Sequence, residues 1–250
     1  AAPLAGAASV PASTAPAVAS IGASAVPGTP APAVPAAREK IEVTTDVYRL
    51  TFDGEGGSLT HAELLKHADM TDKAKNFVLF DESTQRVYAA QTGLIGGSFP
   101  THKTVMTAVP GPRSLKDGEN ELTIRFESPE QGGVKLVKTW TLKRGAYDIA
   151  VKHEVVNVGS TAVSPQLYLQ LVRDGNKPPG ESSFYSTFTG PAVYTDAKKY
   201  QKIEFKDIEN GKVDIPKESP NGYVAMVQHY FATAWLLADG VQRELFTRKV

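Results

Sequence analysis

Apolar and polar side chains alternate along much of the chain with a period of two residues. The alternation is clearest in four runs, at residues 122–126, 136–142, 147–155 and 167–171. Lys138 shares the apolar face of the second run. Alternation with this period is typical of half-buried strands in antiparallel sheets.

Turn sequences that contain glycine separate these runs. They include Asp53-Gly54, Asp117-Gly118, Asn210-Gly211 and Asn221-Gly222, and several favour tight hairpin turns. Helical patterning is sparse, and it leaves room for a short helical turn only at residues 62–75. Many short strands with little helix predict an all-β fold with minor helix, a twisted sandwich of about 200 residues in one domain.

Residues 219–238 form an uncharged run that must be tested as a membrane span. Pro220, Asn221 and Gly222 at its start are turn residues, and Gln228 and His229 interrupt the remainder. The apolar part is therefore shorter than the roughly 20 residues that a spanning helix needs. The pattern favours a pair of buried strands, and the chain as given is expected to be soluble.

The charge balance and the lack of cysteine exclude several classes of function. Lys and Arg number 27, Asp and Glu also number 27, and cysteine is absent. A net charge of zero gives no electrostatic reason to expect nucleic acid or an anionic membrane surface as a partner. Without cysteine there are no disulfides, no thiolate nucleophiles and no cysteine-ligated zinc.

The first residues differ sharply in composition from the rest. Residues 1–37 carry no charge and are rich in alanine and proline. Repeated prolines oppose helix formation, and few large side chains remain to offset the entropy of ordering. We therefore predict a disordered Ala/Pro-rich linker over residues 1–38 and a folded domain over residues 39–250.

No motif with the spacing of a known catalytic site is present. There is no Gly-x-Ser-x-Gly or Ser-x-x-Lys sequence, and Gly-Glu-Gly-Gly at residues 54–57 lacks the Lys-Ser/Thr of a phosphate loop. His61 and Glu63 share one strand face, which suits either a metal or an exposed polar surface. His153 and His229 lie in apolar runs, as a packed ring or a tuned base would. We predict no catalytic residue, no cofactor and no metal site.

Aromatic and basic residues are interleaved between residues 184 and 206. Such a mixture can bind single-stranded nucleic acid, but Asp196, Glu204, Asp207 and Glu209 cancel the positive charge. A protein-contact surface or a solvated strand edge fits this segment better. The predicted partner-binding residues are Phe184, Tyr185, Phe188, Tyr194, Lys198, Lys199 and Tyr200.

Several collinear segments resemble one family, the large periplasmic domain of the bacterial membrane-protein insertase YidC. They are residues 41–59, 138–157, 189–208 and 222–237, and the most specific pieces are Gly-Pro-Ala-x-Tyr-Thr at residues 190–195 and Val-Ala-Met-x-Gln-His-Tyr-Phe at residues 224–231. The resemblance extends from about Glu39 to Val250.

The resemblance implies more than the periodicity does. It implies a β-supersandwich similar to galactose mutarotase, with two large twisted antiparallel sheets, at the periplasmic face of the bacterial inner membrane. It also implies a non-catalytic role in a multi-pass parent protein that assists insertion and folding of inner-membrane proteins. The partners it implies are the Sec accessory subunits SecD and SecF, and nascent membrane proteins.

Two alternative functions and one structural expectation accompany this interpretation. The domain could be a carbohydrate-binding or mutarotase-like module, a proposal that depends on fold analogy. It could also be a chaperone platform that binds unfolded periplasmic segments at a strand edge or groove. Because the family continues through further strands, a C-terminally truncated domain is expected, with an incompletely paired strand near residues 242–249.

Overall fold

The computed structural model describes residues 38–178 and 187–250. In these ranges the chain forms β-strands and one short helix. The elements are β1 (Lys40–Thr44), β2 (Tyr48–Asp53), β3 (Ser58–Ala68), β4 (Asn76–Glu82), β5 (Val87–Ile95), β6 (Thr107–Ala108), β7 (Glu121–Glu127), β8 (Val134–Lys143), β9 (Ile149–Asn157), β10 (Gln166–Arg173), β11 (Gly190–Thr195), β12 (Lys199–Lys202), α1 (Phe205–Glu209), β13 (Glu218–Ser219), β14 (Tyr223–Gln228), β15 (Phe231–Leu236) and β16 (Arg243–Glu244).

Two antiparallel sheets face each other across the main core. One has six strands in the order β1-β2-β3-β4-β5-β10, and the other has four in the order β6-β7-β8-β9. Phe52 on β2 lies 6.0 Å from Phe126 on β7 and 5.2 Å from Trp140 on β8, measured between ring centroids. The predicted all-β sandwich is confirmed.

The alternation seen in the sequence matches the burial in β7. Leu122, Ile124 and Phe126 are 3%, 0% and 0% exposed, whereas the residues between them face solvent. Removing these three side chains from water stabilises the fold by about 1.5–3 kcal/mol each. The same period therefore determines both the strand and the face that enters the core.

A third sheet extends the sandwich. It has four strands in the order β12-β11-β14-β15, and it has a small core of its own made by Val193, Ile203 and Leu245. The indole N–H of Trp235 on β15 donates to the carbonyl of Gln170 on β10 at 3.0 Å. The ring of Trp235 also lies 6.3 Å from that of Trp140, so β15 is attached to the main core.

Residues 62–75, which the sequence left open to a short helical turn, are not helical. Residues up to Ala68 belong to β3, where Ala62 and Leu64 are buried and Glu63 between them is partly exposed. That segment pairs with β2 and β4, so sheet pairing prevails over its local helical tendency. The helix found in the described residues is α1, at Phe205–Glu209.

The uncharged run at residues 219–238 forms a hairpin of two strands, β14 and β15, as predicted, but β15 is not buried, since alternate residues along it are exposed. Among the described residues, no helix has the length and apolar character needed to cross a membrane. The strand predicted near residues 242–249 is limited to β16, which pairs with β13. Residues 1–37 of the predicted linker lie outside the described ranges, so the linker over residues 1–38 stays a prediction, as does the domain boundary.

Candidate docking surface

Four large side chains form a continuous row across the sheet β12-β11-β14-β15. Tyr200 is paired directly with Tyr194, Tyr194 with Tyr223, and Tyr223 with Leu236. Residues directly opposite in neighbouring strands point to the same face of a sheet. We call this row, Tyr194, Tyr200, Tyr223 and Leu236, the tyrosine face.

The tyrosine face has a stacked pair at its centre and is open to solvent at its ends. The rings of Tyr194 and Tyr223 stack with centroids 5.5 Å apart and planes 11° apart. At its two ends Tyr200 is 45% exposed and Leu236 is 71% exposed. Rigid aromatic side chains supply contact area with little loss of side-chain entropy, which suits a protein-binding surface.

The predicted lysines lie beside the tyrosine face, and carboxylates partly neutralise them. Lys198 Nζ lies 2.7 Å from Asp214 Oδ1, and Lys199 Nζ lies 4.0 Å from Asp196 Oδ1. Both lysines and both carboxylates are well exposed, so these ion pairs add little to stability. A patch of mixed charge agrees with a protein partner better than with a polyanion.

Phe188 is the remaining described member of the predicted set. Lys202 Nζ lies 5.1 Å above the centre of its ring, a cation–π contact. A Cβ added to Gly190 would lie 3.0 Å from the Phe188 ring, so that ring covers the start of β11. The structure thus places Phe188 against the start of the sheet that contains Tyr194 and Tyr200, whereas Phe184 and Tyr185 lie outside the described residues.

Two turns hold the tyrosine face in place. Asp196 in the β11–β12 turn accepts from the side-chain amide of Asn221 at 2.8 Å, and its backbone N–H donates to Asn221 Oδ1 at 3.0 Å. Gly222 follows with φ +92°, and a Cβ there would lie 1.9 Å from the carbonyl oxygen of Tyr194. The close approach of β14 to β11 therefore requires glycine at position 222.

The prediction from sequence missed Tyr223 and Leu236. Both lie in the apolar run at residues 219–238, far along the chain from Tyr194, and they join the face through the register of β11, β14 and β15. The alternation in the run showed which residues share a strand face. It did not show which strand would be the neighbour.

A cavity of about 710 Å³ lies between β10, β11, β14, α1 and the last residues of the chain. Its apolar lining includes Leu171, Val193, Met226 and Phe205, and its charged residues have both signs. No histidine, tryptophan or tyrosine lines it among the described residues. The lining of described residues therefore lacks the tryptophan or tyrosine and the histidine–carboxylate pair that a sugar-transforming site was expected to show.

Lys138 is the most buried charged side chain of the main core, at 0% exposure. Its Nζ donates to the carbonyl oxygens of Gly56 and Thr92, at 2.5 and 2.6 Å. Burial lowers the pKa of Lys138 to about 7, because the charged form loses its hydration. The lysine links the two facing sheets and is closed to any substrate.

His153 lies beside Lys138, and neighbouring residues hold its ring in place. It is paired with Lys138 across β8 and β9, and its Nε2 lies 2.8 Å from the hydroxyl of Thr92. Burial, with a smaller contribution from the charge of Lys138, lowers the pKa of His153 to about 4. A neutral, hydrogen-bonded ring with a cation as its neighbour fits a packed residue better than a general base.

The other two histidines singled out from the sequence, His61 and His229, each lie beside a neighbouring side chain. His61 Nδ1 lies 3.6 Å from Asp81, and the ring of His229 packs on Tyr230. Within residues 38–178 and 187–250, no group of three or more His, Asp or Glu side chains has the arrangement of a metal site. The distinctive surface of the described chain is therefore the tyrosine face.

The fold and this surface define an all-β sandwich domain that presents an exposed aromatic sheet face. The family model for the YidC periplasmic domain matches residues 40–250, and the chain belongs to that family. It is 50% identical over 216 residues to a membrane protein insertase YidC from Janthinobacterium sp. (strain Marseille), covering 86% of this chain and 38% of the relative. The resemblance drawn from the sequence is confirmed.

Two further relatives carry the same name. The chain is 50% identical over 213 residues to the insertase of Herminiimonas arsenicoxydans, covering 85% of this chain and 37% of the relative. It is 50% identical over 212 residues to that of Bordetella pertussis, covering 83% and 37%. The chain thus spans less than two fifths of the length of these relatives. Family membership places the domain on the periplasmic side of the bacterial inner membrane.

Proposed function

We propose that this domain is a non-catalytic docking module of a membrane-protein insertase, and that it contacts the Sec accessory subunits SecD and SecF through the tyrosine face. The insertase would act on nascent inner-membrane proteins, and the domain would bring it to the translocase. The observation that carries the proposal is the row from Tyr200 to Leu236, which is exposed at both ends and has a stacked tyrosine pair at its centre.

The chemistry of the face supports a protein partner. Aromatic residues are enriched in the buried centres of protein interfaces, and charged residues at the rim favour correct orientation. Lys198, Lys199 and Asp214 form such a rim at one end of the row. Leu236 and the exposed Ala234 give the other end an apolar character.

A non-enzymatic role is supported by what surrounds the ionisable groups. Lys138 and His153 are engaged with Gly56 and Thr92 inside the sandwich. The cavity lining gives no support to a mutarotase-like activity, since it lacks histidine, tyrosine and tryptophan among the described residues. Fold analogy to a sugar-binding protein is not enough to assign chemistry.

The proposal is tested with the full chain and purified periplasmic domains of SecD and SecF. A photo-reactive amino acid at Tyr200 or at Leu236 should cross-link to one of these domains. The double variant Tyr200→Ser/Leu236→Ser should lose the association, because it removes apolar contact area at both ends of the face.

The matched control is Val158→Ser, which removes an apolar side chain of 46% exposure outside this sheet. It should bind as the unaltered chain does. The proposal fails if the double variant and the control bind equally well, or if photo-cross-links to SecD and SecF form from position 158 and not from positions 200 and 236.

A further inference from the structure

Within residues 38–178 and 187–250, the last strand of the second sheet has one unpaired edge. Strand β9 ends the order β6-β7-β8-β9, and in the described residues it pairs with β8 and with no other strand. It is nine residues long and contains no proline or glycine. Val155 and Val156 are 42% and 47% exposed. A long, regular, partly apolar edge is a template for pairing with another strand.

The hydrogen bonds of β8 show which backbone groups of β9 are unpaired. Ser128 N–H donates to the carbonyl of Leu136, so the even-numbered residues of β8 direct their backbone groups toward β7. The odd-numbered residues of β8 therefore direct their backbone groups toward β9 and bond to its even-numbered residues. The hydrogen bond from Val158 N–H to the carbonyl of Gly133 agrees with this pattern. The odd-numbered residues of β9, with His153 at their centre, direct their N–H and C=O groups outward.

We propose that β9 pairs antiparallel with β9 of a second copy of this chain, about a two-fold axis at His153. In this register Lys152 lies directly opposite Glu154 of the second copy, and the reverse pair forms on the other side of the axis. Val151 lies opposite Val155 of the second copy on the inner face. The interface is isologous, as two-fold symmetry requires.

The charges of β9 select this register from its neighbours, because an axis at Lys152 or at Glu154 would place two like charges directly opposite each other. If the axis lay at Val151, Glu154 would lie opposite Asp148 of the second copy, and two like charges would meet. If it lay at Val155, Glu154 would lie opposite Val156 and both charge pairs would be lost. Opposite charges in directly opposed positions stabilise an antiparallel pair, and like charges destabilise it.

The charged side chains of β9 make only exposed ion pairs within their own chain, Lys152 with Glu154, and Glu154 with Arg125 at 3.9 Å. Lys152 Nζ lies 3.1 Å from Glu154 Oε1 within the same chain, and both side chains are exposed, so this pair is weak and easily exchanged. The ring of His153 is held inside its own chain by Thr92. It therefore does not obstruct the axis where the two strands meet.

Sedimentation velocity over a range of concentrations tests the proposal. The unaltered chain should form dimers as concentration rises. Glu154→Lys should raise the dimer dissociation constant about tenfold, since two attractive pairs become repulsive. The double variant Lys152→Glu/Glu154→Lys should restore dimerisation, because it recreates both pairs with the charges exchanged. Glu121→Lys makes the same charge change on β7, away from this edge, and should leave the dimer unchanged.

Cross-linking tests the register itself. The chain has no cysteine, so each introduced thiol is the sole one. Ala150→Cys and Val156→Cys should form a disulfide when the two variants are mixed, because these positions face each other across the axis. Neither variant should form one by itself.

A chain that stays monomeric at every concentration overturns the proposal. So does a Glu154→Lys variant that dimerises as strongly as Glu121→Lys, or a double variant that fails to recover while its circular dichroism and thermal unfolding match those of the unaltered chain. This inference does not depend on SecD or SecF, and either proposal can fail while the other stands.

Discussion

The ammonium group of Lys138 on β8 donates a hydrogen bond of 2.6 Å to the carbonyl oxygen of Thr92 on β5, and the bond joins the two facing sheets. A second bond, to the carbonyl of Gly56, fixes the turn between β2 and β3 to the same nitrogen. The indole N–H of Trp140, two residues along β8, donates to Gly57 in that turn at 3.2 Å. A single strand thus holds both the opposite sheet and the turn that precedes β3.

The depressed pKa of Lys138 predicts that stability rises with pH. In the unfolded chain the lysine keeps its proton up to the ordinary pKa of 10.5, whereas in the folded chain it releases the proton near 7. Between these values the unfolded state binds more protons, so the free energy of unfolding increases by at most about 1.4 kcal/mol per pH unit from this group. Urea unfolding at pH 7, 8 and 9 measures it.

Lys138→Met should remove this increase. Lys135→Met, on the exposed face of the same strand, is the matched control and should keep it. Equal pH dependence in the two variants would contradict the buried, depressed lysine. The test stops near pH 9 because burial raises the pKa of Tyr48 and Tyr88 to about 12, and this favours unfolding above pH 10.

The depressed pKa of His153 predicts that the free energy of unfolding falls as the pH drops below 6.5. Its pKa is about 4 in the folded chain, below the ordinary value of 6.5, because burial disfavours the imidazolium. Between pH 6.5 and 4 the unfolded state takes up a proton that the folded state excludes, so stability falls by about 2–3 kcal/mol over that range. His153→Gln should flatten the fall in urea-unfolding measurements, and His67→Gln, at an exposed position, should not.

The ion pairs of the buried residue Asp53 predict that replacing its carboxylate weakens the attachment of β1 and lowers the free energy of unfolding. Its carboxylate is 1% exposed and lies 2.6 Å from both Arg38 and Lys40. Burial acts to raise the pKa of Asp53, but hydrogen bonds from Arg38, Lys40 and the backbone N–H of Glu55 lower it overall. Asp53→Asn should reduce the free energy of unfolding by about 1–3 kcal/mol, since buried bonds to a charged acceptor are weakened.

Glu82→Gln is the matched control for Asp53. Glu82 lies 3.8 Å from the same two cations and is 36% exposed, so its loss should cost less than about 0.5 kcal/mol. Thermal and urea unfolding of the two variants at pH 7 separates the cases. Equal losses would mean that the buried position of Asp53 adds nothing.

The tight contact at Gly222 predicts that a single added methyl group disrupts the tyrosine face. Gly222→Ala would place a Cβ 1.9 Å from the carbonyl oxygen of Tyr194, so β14 must move away from β11. We expect a loss of about 2–4 kcal/mol together with loss of the Tyr194–Tyr223 stacking signal in near-ultraviolet circular dichroism. Gly211→Ala shares a positive φ, +65°, but has open space around the added Cβ, and should cost about 1 kcal/mol with the signal intact.

The strands were predictable because burial in this chain follows the period of two. Leu122, Ile124 and Phe126 show the rule, and the hairpin at residues 219–238 followed from turn residues and an uncharged run. The segment at residues 62–75 shows the limit, since its alanine, leucine and lysine content suits a helix. Pairing with two neighbouring strands decided its structure, and such pairing is not visible in a local window.

Two of the four residues of the tyrosine face could be predicted from the sequence. Tyr194 and Tyr200 lie close together in the chain, across one turn, and were predicted as contact residues. Tyr223 and Leu236 join them through strand register alone. For Lys138 the sequence did carry a signal, since a lysine on an apolar strand face needs buried acceptors. The acceptors, Gly56 and Thr92, come from other strands and turns and could not be named in advance.

The two tryptophans of the chain, Trp140 and Trp235, lie 6.3 Å apart and belong to different sheets. The two indole rings are therefore close enough for their electronic transitions to couple. The tryptophan emission of this protein reports on the contact between β8 and β15. If the β14–β15 hairpin separates from the sandwich while the remaining core stays intact, indole fluorescence and the exciton signal will change before the amide signal does. The two tryptophans therefore report, by their fluorescence, whether the third sheet is packed against the sandwich.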